Sequence, residues 1–471
     1  MTGDVKQNAV DPDRATEAQF AHLLRKIETR QAVVSVIGLG YVGLPLAVAF
    51  ANAGFRVVGI DHDGARVGAI ARGESYLEDI SSETLRAVVC DAPYVSFSVN
   101  GHSAERGSLL PTTNYDALAQ TDVAFICVPT PLSKTSDPDI SYIVSATEEI
   151  ARFLHPGMLI VLESTSYPGT TEEIVLPRLR GANGQSLEVG TDFFLAFSPE
   201  RIDPGRKDWT IHNTPKVVGG MTTRCTQVAK AVYGCVVQET IAVSSPRVAE
   251  MAKLLENTFR AVNIGLVNEV AIMCNRLEID VWEVIDAAKT KPFGYMPFYP
   301  GPGLGGHCIP VDPRYLAWKL KVLDYNARFI QLAEEINFGM PMYVLGKIAD
   351  ELNESGKSLK GSRILILGVA YKANVSDARE SPALDLMRLL LKRGVELAYH
   401  DPYVPEVDVE GQLLTGVKLD LNRLRWADCV VITTAHDVFD WTWVVENSAL
   451  VVDTRNATAH VSHSLGRVVK L

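Results

Sequence analysis

Residues 33–43 read Val-Val-Ser-Val-Ile-Gly-Leu-Gly-Tyr-Val-Gly, a short β-branched apolar run that breaks into three glycines at G-x-G-x-x-G spacing. A helical pattern follows over residues 44–53, then a second apolar run over residues 56–60 that ends at Asp61. Strand, glycine turn, helix and a second strand closing on an acid admit few arrangements besides a parallel βαβ unit. In such a unit Gly38 makes the turn, Gly40 lets a pyrophosphate approach the backbone, and Gly43 lets the helix pack on the strand. The helix start, with Tyr41 and Val42 beside it, offers free N–H groups and partial positive charge to phosphates. Asp61 is placed for the ribose hydroxyls and would repel a 2′-phosphate, so the pattern predicts NAD as cofactor.

The alternation continues along the chain. Residues 122–128, 158–162 and 193–197 read as strands ending in Pro129-Thr130, Glu163-Ser-Thr165 and Ser198-Pro-Glu200-Arg201-Ile-Asp203. Ligands of doubly wound sheets sit at the carboxyl ends of strands, so Thr130, Thr165, Glu200 and Asp203 are expected toward the nicotinamide end. Ser245-Pro246 is a helix start, and a helical pattern runs on to Arg276. That is a spine between domains and a plausible dimer interface, and it carries Lys253 and Asn257 at i, i+4 on one face. Residues 352–361, polar with two glycines, read as a linker. A second α/β unit follows, with strands over 363–368, 396–400, 428–434 and 450–452, the last running into Asp453-Thr-Arg455. Gly368 stands there alone, so this unit has the architecture without the full fingerprint. It could hold a mononucleotide, with Lys372 and Arg455 available for phosphates. The expected fold is α/β: two Rossmann-like doubly wound domains joined by a long central helix. The boundaries read as an N-terminal extension over 1–30, a dinucleotide domain over 31–244, a central region over 245–345 and a C-terminal domain over 346–471.

Composition narrows the partners. A chain of 471 residues is too long for one core. Its net charge of −11 argues against nonspecific nucleic-acid binding and against an anionic membrane surface. Seven scattered cysteines without C-x-x-C spacing fit reduced cytoplasmic thiols, and no ligand cluster suggests a metal. Residues 33–55 are uncharged and long enough to span a bilayer, but the glycines and Pro45 favour strand–turn–helix. The N-terminal residues carry charge throughout, unlike a signal peptide. Phe20, Leu23, Leu24 and Ile27 sit at helical spacing there.

Residues 301–313 read Gly-Pro-Gly-Leu-Gly-Gly-His-Cys-Ile-Pro-Val-Asp-Pro. Glycines without side chains let the backbone come close to a bulky ligand and take positive φ. Cys308 follows at once, with Asp312 four residues on. A cysteine so presented is a nucleophile candidate, although free cysteine is also among the most buried residue types. The loop alone leaves both readings open.

Taken together, G-L-G-Y-V-G-L-P-L-A, V-P-T-P, E-S-T-x-x-P-G-T, F-S-P-E-R, K-L-L-E-N-T, G-P-G-L-G-G-H-C-I-P-V-D-P and G-V-A-Y-K-A-N-V-x-D-x-R-E-S-P resemble the UDP-glucose/GDP-mannose dehydrogenase family. S-P-E-R-I-D-P-G and Y-P-G-P-G-L-G-G-H-C-I-P resemble its branch acting on UDP-N-acetylhexosamines, with UDP-GlcNAc the expected substrate and UDP-ManNAc or UDP-glucose the alternatives. The resemblance implies a four-electron oxidation of the sugar C6 alcohol to a carboxylate with NAD, supplying surface-polysaccharide precursors. It implies Cys308 as nucleophile, Lys253 as oxyanion stabiliser, Asn257 and Asp312 as holders of Lys253 and the sugar, and Glu200 as general base through a water shared with Thr165. It further implies Gly305, Tyr371, Lys372, Arg201, Asp203 and Arg455 toward the UDP-sugar, Arg66 along the adenosine and Arg379 on the pyrophosphate side. A homodimer through the central helix, or a higher homo-oligomer, is implied as well. The competing readings are a two-electron dehydrogenase with a structural Cys308 and a silent nucleotide-sugar binding protein.

Overall fold

The computed structural model describes residues 12–77, 79–89, 107–133, 137–181, 187–203, 206, 208–306, 308–461 and 467–471. The chain forms two compact units, residues 1–254 and 255–471. The division falls inside one 31-residue helix, Pro246–Arg276.

In the first unit eight strands, β1 (Val33–Ile37), β2 (Arg56–Ile60), β3 (Ser108–Thr112), β4 (Val123–Ile126), β5 (Leu159–Leu162), β6 (Phe194–Phe197), β7 (Lys216–Gly220) and β8 (Thr240–Val243), form one sheet in the order β3-β2-β1-β4-β5-β6-β7-β8. Every neighbouring pair is parallel except β6 and β7. Strand side chains alternate between two cores, as a sheet covered on both faces requires. Leu159 and Val161 of β5 join Leu44, Phe50 and Val228 on one face, while Ile160 and Leu162 join Ile143 and Ile150 on the other. The N-terminal helix Pro12–Glu28 belongs to the first of these cores, burying Leu23 and Ile27 and setting Phe20 against Phe194. The uncharged stretch 33–55 is β1, a turn and the helix Gly43–Asn52. Among the described residues no helix is long and apolar enough to cross a membrane.

In the second unit β9 (Arg363–Leu367), β10 (Glu396–His400), β13 (Cys429–Ile432), β14 (Leu450–Asp453) and β15 (Arg467–Lys470) form a parallel sheet in the order β10-β9-β13-β14-β15, while β11 (Glu406–Val409) and β12 (Gln412–Thr415) make a separate hairpin. Here too the strands alternate, Ile364 and Ile366 to one core and Leu365 and Leu367 to the other. The helix Arg328–Glu354 packs on the first of these cores and buries Leu352. Residues 352–354, read above as linker, are therefore its last turn. Their polarity is that of its exposed side, and the connection begins at Ser355.

Candidate functional site

The glycine fingerprint folds as its spacing requires. Gly38 has φ +89°, and a Cβ there would lie 2.6 Å from the Cys127 carbonyl oxygen. At Gly43 a Cβ would stand 1.8 Å from the Gly38 oxygen, so helix and turn are in backbone contact. Gly40 differs: no atom lies within 4 Å of its missing Cβ. The loop is thus closed on the protein side and open on the other, a cradle that fits a cofactor pyrophosphate. Asp61, buried at the end of β2, braces this loop by accepting the Leu39 N–H at 2.8 Å and the Asp63 N–H at 2.9 Å. A carboxylate has about four acceptor positions, so capacity for ribose hydroxyls remains. Arg66 lies 3.7 Å from Asp61 and 3.4 Å from Asp63, over the Tyr76 ring. Tyr41 is half exposed beside the loop, and Val42 caps the helix in αR geometry without a side-chain bond.

At the other strand ends Thr130, Thr165, Glu200, Arg201 and Asp203 are all half-buried. Thr165 accepts a hydrogen bond from the Lys253 ammonium, itself buried. What fixes Lys253 is a carboxylate the sequence reading did not single out. Glu250, one helical turn earlier and fully buried, accepts the N–H groups of Gly169 at 2.6 Å and Thr171 at 3.0 Å, and the Thr171 hydroxyl at 2.7 Å. It locks the helix onto the loop that carries Thr165. Glu200 accepts the N–H groups of Arg201 at 2.9 Å and Ile202 at 2.7 Å through one oxygen and the Lys216 ammonium at 3.0 Å through the other. Burial alone would raise the Glu200 carboxyl, but Lys216 and those N–H donors hold it below the usual range. The Arg201 guanidinium, expected to face the sugar, donates to the Pro215 carbonyl at 2.7 Å.

The second unit presents the cysteine loop. Its start is fixed by a chain of buried amides: Gly301 N–H donates to Asn268 at 2.9 Å, Asn268 to Asn337 at 2.8 Å, and Asn337 to the Ala261 carbonyl at 3.1 Å. A Cβ on Gly301 would meet the Arg455 guanidinium at 2.5 Å, one on Gly305 Pro382 at 2.9 Å, and one on Gly306 the Tyr371 ring at 3.0 Å. The glycines therefore exist because Arg455, Pro382 and Tyr371 occupy the space of side chains. Arg455 is bonded through Nε to the Thr433 carbonyl at 2.9 Å, and burial pushes its guanidinium down to about 10. The Cys308 carbonyl accepts from Val311 at 3.1 Å and Asp312 at 2.8 Å, starting the helix Asp312–Lys321. Asn257 donates to the buried Asp312 carboxylate at 2.5 Å. Cys308 is exposed, whereas Cys127, Cys225, Cys235, Cys274 and Cys429 are buried or half-buried, and none of these six is in a disulfide. Lys372 is half-buried beside Tyr371, and Arg379 is exposed, forked onto Asp377 at 2.9 and 3.0 Å. His307 and Gly205 lie outside the described residues.

The structure thus pairs Lys253 with Thr165, Asn257 with Asp312, and Gly305 with Tyr371. It adds Glu163, Lys216, Tyr233, Glu250, Asn268 and Asn337. Only Glu163 had a local signal, as part of E-S-T; a lone Lys opening the run Lys-Val-Val-Gly-Gly reads as a solvated strand end.

The comparisons agree with this organisation. Residues 32–237 match the NAD binding domain of the UDP-glucose/GDP-mannose dehydrogenase family, 247–338 its central domain and 365–460 its UDP binding domain. The UDP-N-acetyl-D-glucosamine 6-dehydrogenase of Pseudomonas aeruginosa is 36% identical over 408 residues, covering 86% of this chain and 91% of its own. The UDP-N-acetyl-D-mannosamine dehydrogenase of Methanococcus maripaludis is 34% identical over 439 residues, covering 91% and 93%. A solved UDP-D-ManNAc dehydrogenase from Pyrococcus horikoshii superimposes with a TM-score of 0.80 at 31% identity, covering 93% of this chain and 99% of that one. An open glycine cradle, an exposed thiol on a braced loop and three matched segments in order lead to one conclusion: the chain belongs to the UDP-glucose/GDP-mannose dehydrogenase family and is an NAD-dependent nucleotide-sugar dehydrogenase.

Proposed function

We propose that the protein oxidises C6 of a UDP-N-acetylhexosamine, UDP-GlcNAc first among them, from alcohol to carboxylate through a covalent adduct on Cys308. The observation that carries this reading is the exposed Cys308 thiol on a loop whose backbone is held from several sides. Two NAD⁺, bound in turn, would each accept one hydride, one for each oxidation. In the proposed sequence Glu200, through a water, takes the C6 hydroxyl proton and passes it to solvent, while Lys253, held by Thr165, stabilises negative charge on the C6 oxygen as hydride leaves and the alcohol becomes an aldehyde. The Cys308 thiolate then adds to the aldehyde carbon, and loss of a second hydride leaves a thioester. Water attacks the acyl carbon while Glu200 takes its proton, the C–S bond breaks, and Cys308 leaves as thiolate. Asn257 and Asp312, Tyr371, Lys372 and Arg455 are assigned to holding the UDP-sugar, and Arg66 and Arg379 to the cofactor.

A second reading, UDP-ManNAc, is favoured by the activity named for the relatives from M. maripaludis and P. horikoshii. One experiment separates them: kcat/KM and product mass for UDP-GlcNAc, UDP-GalNAc, UDP-ManNAc and UDP-glucose. A pocket built to bond an amide leaves buried groups unpaired when offered plain glucose, so UDP-GlcNAc should exceed UDP-glucose by at least about a hundredfold. Two NADH should form per acid, without free aldehyde. UDP-ManNAc as best substrate would establish the second reading; UDP-glucose as best substrate would overturn both.

We also propose that two chains associate through the helix Pro246–Arg276. Leu255, Phe259, Leu266 and Met273 recur along it near heptad spacing and are each about half exposed, a stripe rarely left to water. Light scattering should give twice 51.4 kDa, and Leu266→Glu should shift the protein toward a single chain. A wild-type mass of one chain would refute the dimer.

A further inference from the structure

Three ionisable side chains in the first unit form a buried line that none of the roles above uses in full. Lys216 Nζ sits 3.0 Å from Glu200 and 3.0 Å from Glu163, and its side chain is 5% exposed. Glu163 is buried and also accepts the hydroxyl of Tyr233, whose ring lies 5.4 Å from the same ammonium. The topology explains how a lysine reaches this edge. Parallel strands present only their last residues there, but β7 runs against β6, so it presents its first. The register sets Ala196 opposite Gly220 and Phe197 opposite Gly219. Carried three residues past the end of β6, it sets Lys216 opposite Glu200.

We infer that Lys216 is a positioning residue for Glu200, keeping the proposed base ionised and aimed, with Glu163 and Tyr233 holding Lys216 in turn. The inference rests on the reading of Glu200 as general base. A lysine buried between two carboxylates at contact distance is not a solvated strand end, because desolvating an ammonium is costly unless carboxylates compensate it. The groups facing this line are Glu163 beyond β5, Tyr233 from the helix Thr223–Tyr233, Lys253 from the long helix and the Cys127 thiol beyond β4. Burial opposes charge on Lys216, yet the two carboxylates outweigh it and hold the ammonium above the usual lysine range. Burial likewise pushes the Glu163 carboxyl up. Glu200, with the ammonium on one oxygen and two N–H groups on the other, stays on the low side. A base so held is ready at and below neutral pH. Without Lys216, burial acts on Glu200 with less opposition, and its protonation moves to higher pH.

The test is the pH dependence of acid formation in a single turnover, with enzyme in excess over UDP-GlcNAc and saturating NAD⁺. From pH 8 to pH 5.5 each variant's rate is taken relative to wild type at the same pH, so that the titration of the Cys308 thiol, common to both, cancels. Lys216→Met should lose about tenfold or more over the same range, an acid limb raised by at least about one unit. Because the single variant leaves uncompensated buried charge, the double variant Lys216→Met/Glu163→Gln, which removes one charge of each sign, should show the same limb. A rate reduced equally at every pH in the folded variants would make Lys216 merely structural and overturn the inference. Glu200→Gln separates the underlying reading. If it keeps more than about a tenth of the wild-type rate, Glu200 is not the base. If it is inactive while the Lys216 variants keep the wild-type profile, only the inference about Lys216 falls.

Discussion

Cys308→Ser is expected to lower kcat by about 10³-fold or more while leaving UDP-sugar and NAD⁺ affinities within a few fold. Serine replaces one sulfur by oxygen without changing backbone demands, and the glycines of the loop are held by other residues. Gly301 is held by Asn268, and the glycines that follow lie against Pro382 and Tyr371. The backbone carbonyl of residue 308, which starts the next helix, is present in both proteins. What changes is the nucleophile. A hydroxyl is almost wholly protonated near neutral pH, whereas a few per cent of even an ordinary thiol is thiolate, and an ester is slower to hydrolyse than a thioester. Steady-state kinetics and calorimetric titration with each ligand check it. A variant that keeps more than about a tenth of wild-type kcat would remove Cys308 from the mechanism. Aldehyde released by the variant, with one NADH in place of two, would show that the first oxidation proceeds without the thiol.

Much of this architecture was legible because it is written locally. The fingerprint, the apolar runs and the acid at residue 61 lie within one short stretch, and β1 and β2 begin and end where the residue pattern placed them. The cysteine loop was equally plain, since its glycines and Cys308 are contiguous. The charged groups behind the site were not. Glu163 and Lys216 lie 53 residues apart, and they meet because β7 runs against β6 where every other neighbouring pair in the sheet is parallel. Asn268 and Asn337 lie 69 residues apart on two long helices, and nothing in a helical pattern distinguishes a buried amide from a solvated one. Strand β8 was missed for another reason: Ile241 and Ala242 are exposed at the sheet edge, so burial does not shape the residues there into a strong pattern. Sequence periodicity reports which face is apolar. It does not report which polar group on the apolar side has a partner.

The second large effect is expected at Lys253. Lys253→Met should lower kcat by about 10²–10³-fold with a smaller change in KM, because a donor aimed at an oxyanion does most for the transition state. The position is unusually constrained for a lysine. Its ammonium is buried and donates to Thr165, and the helix beneath it is fixed by Glu250, whose carboxylate takes three hydrogen bonds from residues 169 and 171. Methionine keeps the length and the apolar stem, so the helix and its Glu250 anchor are retained while the charge is lost. Thr165→Ala removes only the partner; it should cost about tenfold, since Lys253 remains charged and only its aim is loosened. Glu250→Gln gives an independent view of the same machinery. One amide oxygen can still accept, but the second contact becomes a donor facing an N–H group, so the loop carrying Thr165 should loosen and kcat should fall with little change in thermal midpoint beyond a few degrees. The ordering Lys253→Met, then Thr165→Ala, is the diagnostic result. If Thr165→Ala proves as damaging as Lys253→Met, the hydroxyl has a role of its own beyond holding the ammonium. If Lys253→Met keeps kcat within about tenfold of wild type, the charge at residue 253 is not what stabilises the C6 oxygen.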